Sequence, residues 1–114
     1  MALGVGGLII SGDSFFNTKR EYIGALGLRY WIPVIYQYRK FAVAGGLVGY
    51  RASQSDMNRI VGVYVGRVLK GEKPGDLPVQ QAAKIELIIN LKTAKVIGVE
   101  IPSALLARAD EVIE

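Results

Sequence analysis

Short apolar segments alternate with amphipathic segments along this chain. Continuous apolar runs lie at 5–11 (VGGLIIS), 34–36 (VIY), 47–50 (LVGY) and 85–89 (IELII). Runs of this length without polar alternation are typical of strands that are covered on both faces. The segments between them carry helical spacing or turn residues, so the pattern predicts strand, helix, strand, turn, strand, helix, strand.

The clearest helical pattern lies between the third and fourth runs. Ser53–Asp56 forms a capping box that predicts its start, and Gly71 predicts its end. Its apolar positions recur at helical spacing and predict a face buried in the core: Met57, Ile60, Val61, Tyr64, Val65, Val68 and Leu69. An earlier helix is predicted behind a second capping box at Thr18–Glu21, where Gly24 and Gly27 either weaken the helix or let it lie close to the sheet.

Three shorter elements complete the prediction. The stretch 39–46 (RKFAVAGG) indicates one helical turn closed by a glycine, and Leu91–Ile97 indicates a short helix that ends at Gly98. Pro102 opens a helical turn followed by an extended tail. Together the elements predict an α/β fold with three α/β/α layers and a mostly parallel sheet.

Polar and aromatic side chains follow three of the predicted strands. They lie at 11–15 (SGDSF), 36–38 (YQY) and 50–51 (YR). Since ligands of such sheets bind beyond the carboxyl ends of the strands, we expect these groups to share one edge and to form one wall of a small-molecule cleft. The candidate ligand-binding residues are Ser11, Asp13, Ser14, Phe15, Tyr36 and Tyr50.

Each candidate also has a structural interpretation. Asp13 can cap a turn instead of binding a ligand, Phe15 can pack in a core or an interface, and Tyr36 can point either way. In the ligand interpretation the Asp13 carboxylate suits a ligand ammonium group, and backbone amides at the helix start near Thr18 suit a ligand carboxylate.

Composition narrows the function classes. The 114 residues form a chain of formal charge +4 that contains neither cysteine nor histidine, which excludes disulfides, thiolate chemistry and histidine-based triads. The carboxylates show no partner at catalytic spacing, so we predict neither an enzyme nor a cofactor. Basic residues are scattered apart from two adjacent pairs, which disfavours a nucleic-acid surface. A solute-binding domain and a structural or dimerisation module without ligand binding remain as alternatives.

Four stretches carry a resemblance to a known family. These stretches are SGDSFFNTKRE, IPVIYQYRKFAVAGGLVGY, VGVYVGRVLKGEKPGDLPVQ and IELIINLKTAKVIGVEIPSALLARADEVIE. They resemble the carboxyl-terminal part of ABC-transporter substrate-binding proteins related to tryptophan and aromatic amino-acid binders. The resemblance covers nearly the whole chain, and LKGEKPGDLPVQ and INLKTAKVIG are its most specific parts. Family members tend to carry Tyr-Gly where this chain has Tyr50-Arg51.

The resemblance implies one lobe of a type I periplasmic binding protein, in which ligand closes a hinge between two α/β lobes. It implies a periplasmic protein that works with a membrane permease, although we find no export signal in this chain. Residues 1–84 would form the ligand-binding lobe and residues 85–114 a return segment on the other lobe or on a partner chain. We therefore expect a homodimer through 85–114, with several apolar side chains of that segment left exposed by the chain itself: Leu91, Val96, Ile97, Ile101, Leu105, Leu106 and Ile113.

Overall fold

The structure, a computed structural model, describes residues 4–114. The chain divides into two compact units. The first unit contains the chain up to Arg51 together with Glu86–Glu114, and the second contains Ala52–Ile85. The chain therefore leaves the first unit at the end of one strand and re-enters it at the start of another.

Five strands form one sheet in the order β1-β2-β3-β4-β5. The strands are β1 Leu8–Ile9, β2 Val34–Tyr36, β3 Val48–Ala52, β4 Ile85–Asn90 and β5 Glu111–Ile113. The pairs β1–β2, β2–β3 and β4–β5 are parallel. The Asn90 amide donates to the Leu47 carbonyl over 2.9 Å, and Gly49 lies against Ile88, so β4 runs antiparallel to β3. The predicted α/β class with a mostly parallel sheet is confirmed.

Helices of the first unit pack on the sheet around two small apolar clusters. The helices are α1 Ser14–Thr18, α2 Arg20–Arg29, α3 Arg39–Val43, and, after the second unit, a helix at Leu91–Ile97 and another at Ser103–Leu106. One cluster contains Ile10, Val34, Tyr36 and Phe41, and the other contains Leu47, Ala94 and Ile97. The buried Asn90 side-chain amide donates to the Ala42 carbonyl over 2.7 Å.

The buried face of α2 is formed by its glycines. A Cβ at Gly24 would lie 2.3 Å from the Ala44 carbonyl oxygen, and a Cβ at Gly27 would lie 2.7 Å from the Val34 side chain. The close-approach interpretation of these glycines is therefore confirmed. The predicted capping box at Thr18 is wrong: Asp13 caps α1 by accepting from the Phe15 amide over 2.7 Å, and α2 begins without a side-chain cap.

The second unit contains α4, Gln54–Leu69, and a turn of 3-10 helix at Pro74–Asp76. The Ser53 hydroxyl accepts from the Asp56 amide, as the capping box predicts, and Gly71 has a positive φ of 106° just beyond the helix. The Tyr64 hydroxyl donates to the Pro78 carbonyl over 2.5 Å and so ties the following loop to the helix. The remaining two helices of the first unit are α5, Leu91–Ile97, and α6, Ser103–Leu106.

The prediction that the apolar stripe of α4 lies in the core is wrong for this chain. None of its residues is buried, and Leu69 is 82% exposed. Apart from Met57, the stripe lines an open groove of about 510 Å³ within the second unit, together with Gln80. Helical spacing identified the apolar face correctly, but spacing carries no information on which surface covers that face.

The segment 85–114 contributes β4, α5, α6 and β5. Ile97 is buried at 9% exposure, so the prediction that this side chain would be exposed is wrong. Val96 is exposed, and the tail after Pro102 forms the short helix α6 and the edge strand β5. The division into 1–84 and 85–114, with the latter packed on another lobe or a partner chain, stays a prediction.

Candidate ligand-binding site

The carboxyl ends of β1, β2 and β3 lie side by side. Leu8 pairs with Val34, and Tyr36 pairs with Gly49, so the three strands point the same way in adjacent positions. The expectation that their polar and aromatic ends share one edge of the sheet is confirmed at the level of topology. We call this part of the first unit, residues 11–15, 36–38 and 50–51, the carboxyl edge.

The loop after β1 is ordered by Asp13. Its backbone is extended, its carboxylate accepts from the Phe15 amide over 2.7 Å, and its carbonyl accepts from the Asn17 amide over 3.0 Å. Gly12 allows the loop to lie against the Gln37 side chain, because a Cβ there would come within 2.3 Å of the Gln37 carboxamide oxygen. The Asp13 side chain is nevertheless exposed, so the capping role leaves the carboxylate accessible to a ligand.

Four of the predicted site residues are exposed around this loop: Ser11, Asp13, Ser14 and Phe15. Phe15 is 63% exposed and meets the half-buried Phe16 edge-on, with ring centroids 5.7 Å apart. Phe16 packs against the core cluster, so it anchors the exposed ring. The loop therefore presents two hydroxyls, a carboxylate and an aromatic face to solvent from a fixed base.

Tyr36 lies beneath the loop. Its ring is 2% exposed and packs on Phe41 with centroids 4.5 Å apart. Its hydroxyl donates to the Asp13 carbonyl over 3.2 Å, and burial raises the pKa of this phenol above its ordinary value. Tyr36 thus connects β2 to the loop after β1 and holds the loop in place.

Tyr50 lies on the other side of the sheet from Tyr36. Because Tyr36 pairs with Gly49, the next residue of β3 projects to the opposite face. Tyr50 is 57% exposed, and its same-face neighbours Ile9 and Ile35 are 81% and 36% exposed. Asp13 and Tyr36 are therefore in direct contact, whereas Tyr50 belongs to the same edge but to the other face.

Two further residues of the carboxyl edge, Arg51 and Tyr38, lie outside the predicted set of site residues. The guanidinium carbon of Arg51 lies 5.4 Å from the centroid of the Tyr38 ring, and this ring meets Tyr36 edge-on at 5.5 Å. The sequence predicts both only as residues at strand ends. The signal that could have singled them out is a cation at a strand end next to a Tyr-x-Tyr pair.

Other charged side chains near the carboxyl edge form an ion pair or a hydrogen bond within the first unit. Arg39, at the start of α3, forms an ion pair of 2.5 Å with Glu111 of β5. The hydrogen bond from Arg39 lowers the pKa of the Glu111 carboxyl, so this carboxyl stays ionised at neutral pH. The Asp110 carboxylate accepts from the Leu87 amide over 2.7 Å.

The amides near Thr18 lie where α1 ends and α2 begins. Thr18 is the last residue of α1, and its hydroxyl donates back to the Ser14 carbonyl over 2.9 Å. The carboxylate site at these amides stays a prediction. The short helix α1 that precedes α2 was not predicted from the sequence pattern.

An apolar pocket of about 560 Å³ lies beside the loop, between β1 and α2. Among the lining residues within 4–114, Ser11 and Tyr30 carry hydroxyls and the others are aliphatic, aromatic or glycine. Such a lining orients no charged ligand. Among residues 4–114 we find no cluster of three or more potential metal ligands, and no helix long and apolar enough to cross a membrane.

Comparison with known protein families shows which class of protein this chain belongs to. The profile of the ABC transporter substrate binding protein family matches residues 2–113, so the chain belongs to that family. This is a family of substrate-binding proteins and not of enzymes, as the sequence predicts. A comparison with curated protein sequences gives no significant match.

Solved structures with the same fold come from several bacteria. The chain is 26% identical to an ABC domain from Streptococcus pneumoniae solved in complex with L-Trp, with a TM-score of 0.85 over 99% of this chain and 39% of that one. It is 27% identical to a conserved domain protein from Vibrio cholerae, with a TM-score of 0.79 over 91% of this chain and 34% of that one. A ligand-free, open substrate-binding protein with adhesive properties from Clostridium difficile shares the fold, at 20% identity and a TM-score of 0.69.

The coverage values show how much of the length of these related proteins the chain spans. It spans 34–39% of the length of the two more similar structures. The predicted resemblance to one lobe of an ABC-transporter substrate-binding protein is confirmed.

Proposed function

We propose that the carboxyl edge of the first unit forms one wall of the solute-binding cleft of a periplasmic ABC-transporter substrate-binding protein. The observation that supports this most strongly is the parallel order of β1, β2 and β3, which brings the exposed polar and aromatic strand ends to one edge. The similar domain from Streptococcus pneumoniae was solved with L-Trp. We infer a small-molecule ligand of the amino-acid class, delivered to a membrane permease.

In this proposal the loop after β1 makes the main contacts. The Asp13 carboxylate binds the ligand ammonium group, the hydroxyls of Ser11 and Ser14 accept or donate hydrogen bonds, and Phe15 packs on the apolar part of the ligand. Tyr50 contributes a second exposed ring. Tyr36 acts indirectly, because its ring is buried and its hydroxyl holds the loop.

The test is an NMR titration of the chain with a set of L-amino acids that includes L-tryptophan. We expect chemical-shift changes confined to the carboxyl edge. Asp13→Ser keeps a side-chain oxygen for the cap of α1 and removes the carboxylate, so the fold should persist while amino-acid binding weakens about tenfold.

The matched control is Glu21→Gln, which removes an exposed carboxylate of α2 in the same unit and should bind like the parent chain. If Asp13→Ser bound amino acids as tightly as the parent chain, Asp13 would not be a ligand-binding residue. Shift changes that avoid the carboxyl edge would contradict the proposed cleft.

A second candidate function is a structural or dimerisation module. The apolar face of α4 favours it, because a large exposed apolar face usually marks an interaction surface. The homodimer through 85–114 stays a prediction, supported by the exposed side chains of Val96 and Leu105.

A further inference from the structure

Gln37 lies in the middle of the carboxyl edge. It follows β2 directly, and β2 lies between β1 and β3 in the sheet. Two positions beyond the paired residues Ile9, Ile35 and Val48, three residues follow at the ends of neighbouring strands: Ser11, Gln37 and Tyr50. The sheet order therefore places Gln37 between two exposed candidate residues of the site.

The side chain of Gln37 lies on the backbone of the loop after β1. A Cβ at Gly12 would come within 2.7 Å of both the oxygen and the nitrogen of the Gln37 carboxamide. Gly12 is not among the glycines with a positive φ, so its backbone conformation does not require a glycine. The absent side chain at this position leaves the space that the carboxamide occupies.

The Gln37 carboxamide is accessible to a ligand. The side chain is exposed, and its carboxamide makes no hydrogen bond to residues 4–114. A carboxamide carries two N–H donors and a carbonyl acceptor, whereas the exposed Asp13 carboxylate can only accept. Gln37 thus adds an uncharged donor beside an anionic acceptor.

This pair of groups matches the head group of an amino acid. The ammonium and carboxylate groups of an α-amino acid share one carbon atom, so the protein groups that bind them must be close together. Gly12, on which the carboxamide lies, directly precedes Asp13, and consecutive Cα atoms are about 3.8 Å apart. The amides near Thr18 are separated from Asp13 by α1, which is about 7.5 Å long.

We propose that Gln37 is a specificity-determining residue whose carboxamide donates a hydrogen bond to the carboxylate group of the ligand. This inference rests on the proposed function of the same cleft. It narrows the ligand class to a zwitterion whose ammonium group lies at Asp13 and whose carboxylate lies at Gln37. Gly12 is a positioning residue, because it acts on the ligand through Gln37.

Three probes separate the two contacts. L-tryptophan carries both charged groups, L-tryptophanamide keeps the ammonium group and lacks the carboxylate, and indole-3-propionate keeps the carboxylate and lacks the ammonium group. NMR titration of the whole chain gives a dissociation constant for each. We expect Gln37→Ala to weaken L-tryptophan and indole-3-propionate about tenfold, through the loss of a hydrogen bond to a charged group, and to leave L-tryptophanamide unchanged.

Gln37→Glu replaces the carboxamide by a carboxylate of nearly the same size. It should weaken the two probes that carry a carboxylate further than Gln37→Ala does, because like charges repel, and it should not weaken the cationic L-tryptophanamide. Gln81→Glu is the matched control, since it makes the same charge change at an exposed glutamine of the second unit. It should change none of the three affinities.

Gly12→Ala tests the positioning of the carboxamide. The added methyl group must displace the Gln37 carboxamide, so this substitution alone should weaken L-tryptophan. In combination with Gln37→Ala it should cause little further loss, because no carboxamide is left to displace. Additive effects of the two substitutions would contradict the positioning role of Gly12.

The remaining outcomes are distinct. Equal weakening of all three probes by Gln37→Ala, or no weakening of any, would overturn the role of Gln37 while the cleft itself stands. Failure of the parent chain to bind any probe at the carboxyl edge would overturn the proposed function and this inference with it.

Discussion

At the scale of single residues, Tyr36 shows how one side chain can serve the core and the site together. Its ring fills the cluster around Phe41, and its hydroxyl reaches the carbonyl of Asp13 across the sheet edge. The loop that carries the exposed candidate residues is thus attached to a buried aromatic residue of the first unit. Sequence alone left both orientations of Tyr36 open, because a residue at a strand end can face either side.

Tyr36→Phe tests this attachment. Loss of the hydrogen bond should lower the free energy of unfolding by about 0.5–1.5 kcal/mol at neutral pH, as measured by denaturant titration. Because burial raises the pKa of Tyr36 in the folded chain, the neutral phenol stabilises the fold below the unfolded pKa of about 10, and this contribution is lost as pH rises through the folded pKa.

The stability gap between the parent and Tyr36→Phe should therefore narrow above about pH 10. Tyr22→Phe is the control, since Tyr22 is 65% exposed and should show no such gap. A gap that is constant from neutral to alkaline pH would contradict the assignment.

At the scale of elements, α2 packs closely through its glycines. Gly24 and Gly27 are its buried residues, while Tyr22 and Tyr30 are exposed. The sequence placed the helix correctly because glycine spacing and helix-forming residues are local properties. It could not choose between a weakened helix and a close approach, because that choice depends on the Ala44 carbonyl, which arrives from another part of the chain.

The substitution Gly24→Ala tests how closely α2 approaches the Ala44 carbonyl. The added methyl group would lie 2.3 Å from a backbone oxygen, so the backbone must shift, and we expect a loss of about 1–3 kcal/mol in the free energy of unfolding. Gly62→Ala in α4 is the matched substitution, with no heavy atom within 4 Å of the new Cβ. It should be neutral or stabilise its helix by up to about 1 kcal/mol. Equal effects of the two substitutions would show that α2 does not lie close to the third helix.

At the scale of the whole molecule, the two compact units differ in what they bury. The first unit contains both apolar core clusters. Within the second unit, α4 has no buried residue, and Val61 and Val65 of its apolar face are exposed. On the same helix, Asp56 and Arg59 pair with each other over 3.0 Å.

A charged side chain introduced on the apolar face of α4 should suppress self-association of the chain. We expect Val65→Lys to lower the fraction of associated chains in sedimentation at micromolar concentration, because it interrupts the apolar surface. Val63→Lys is the control, since Val63 is 49% exposed but lies outside the stripe. A parent chain that is already monomeric, or an equal effect of both substitutions, would contradict an association through α4.

The sequence by itself determined the local structure of this protein. The bounds of β2, the cap of α4 at Ser53 and the end of α5 at Gly98, with φ 72°, follow from neighbouring residues, and all three were predicted. Only the tertiary structure decided that Tyr36 faces the core, that Arg51 lies over Tyr38, that β4 turns antiparallel and that α4 stays uncovered. Caps and turns act over a few residues of chain, whereas burial and strand direction depend on partners that are distant in sequence.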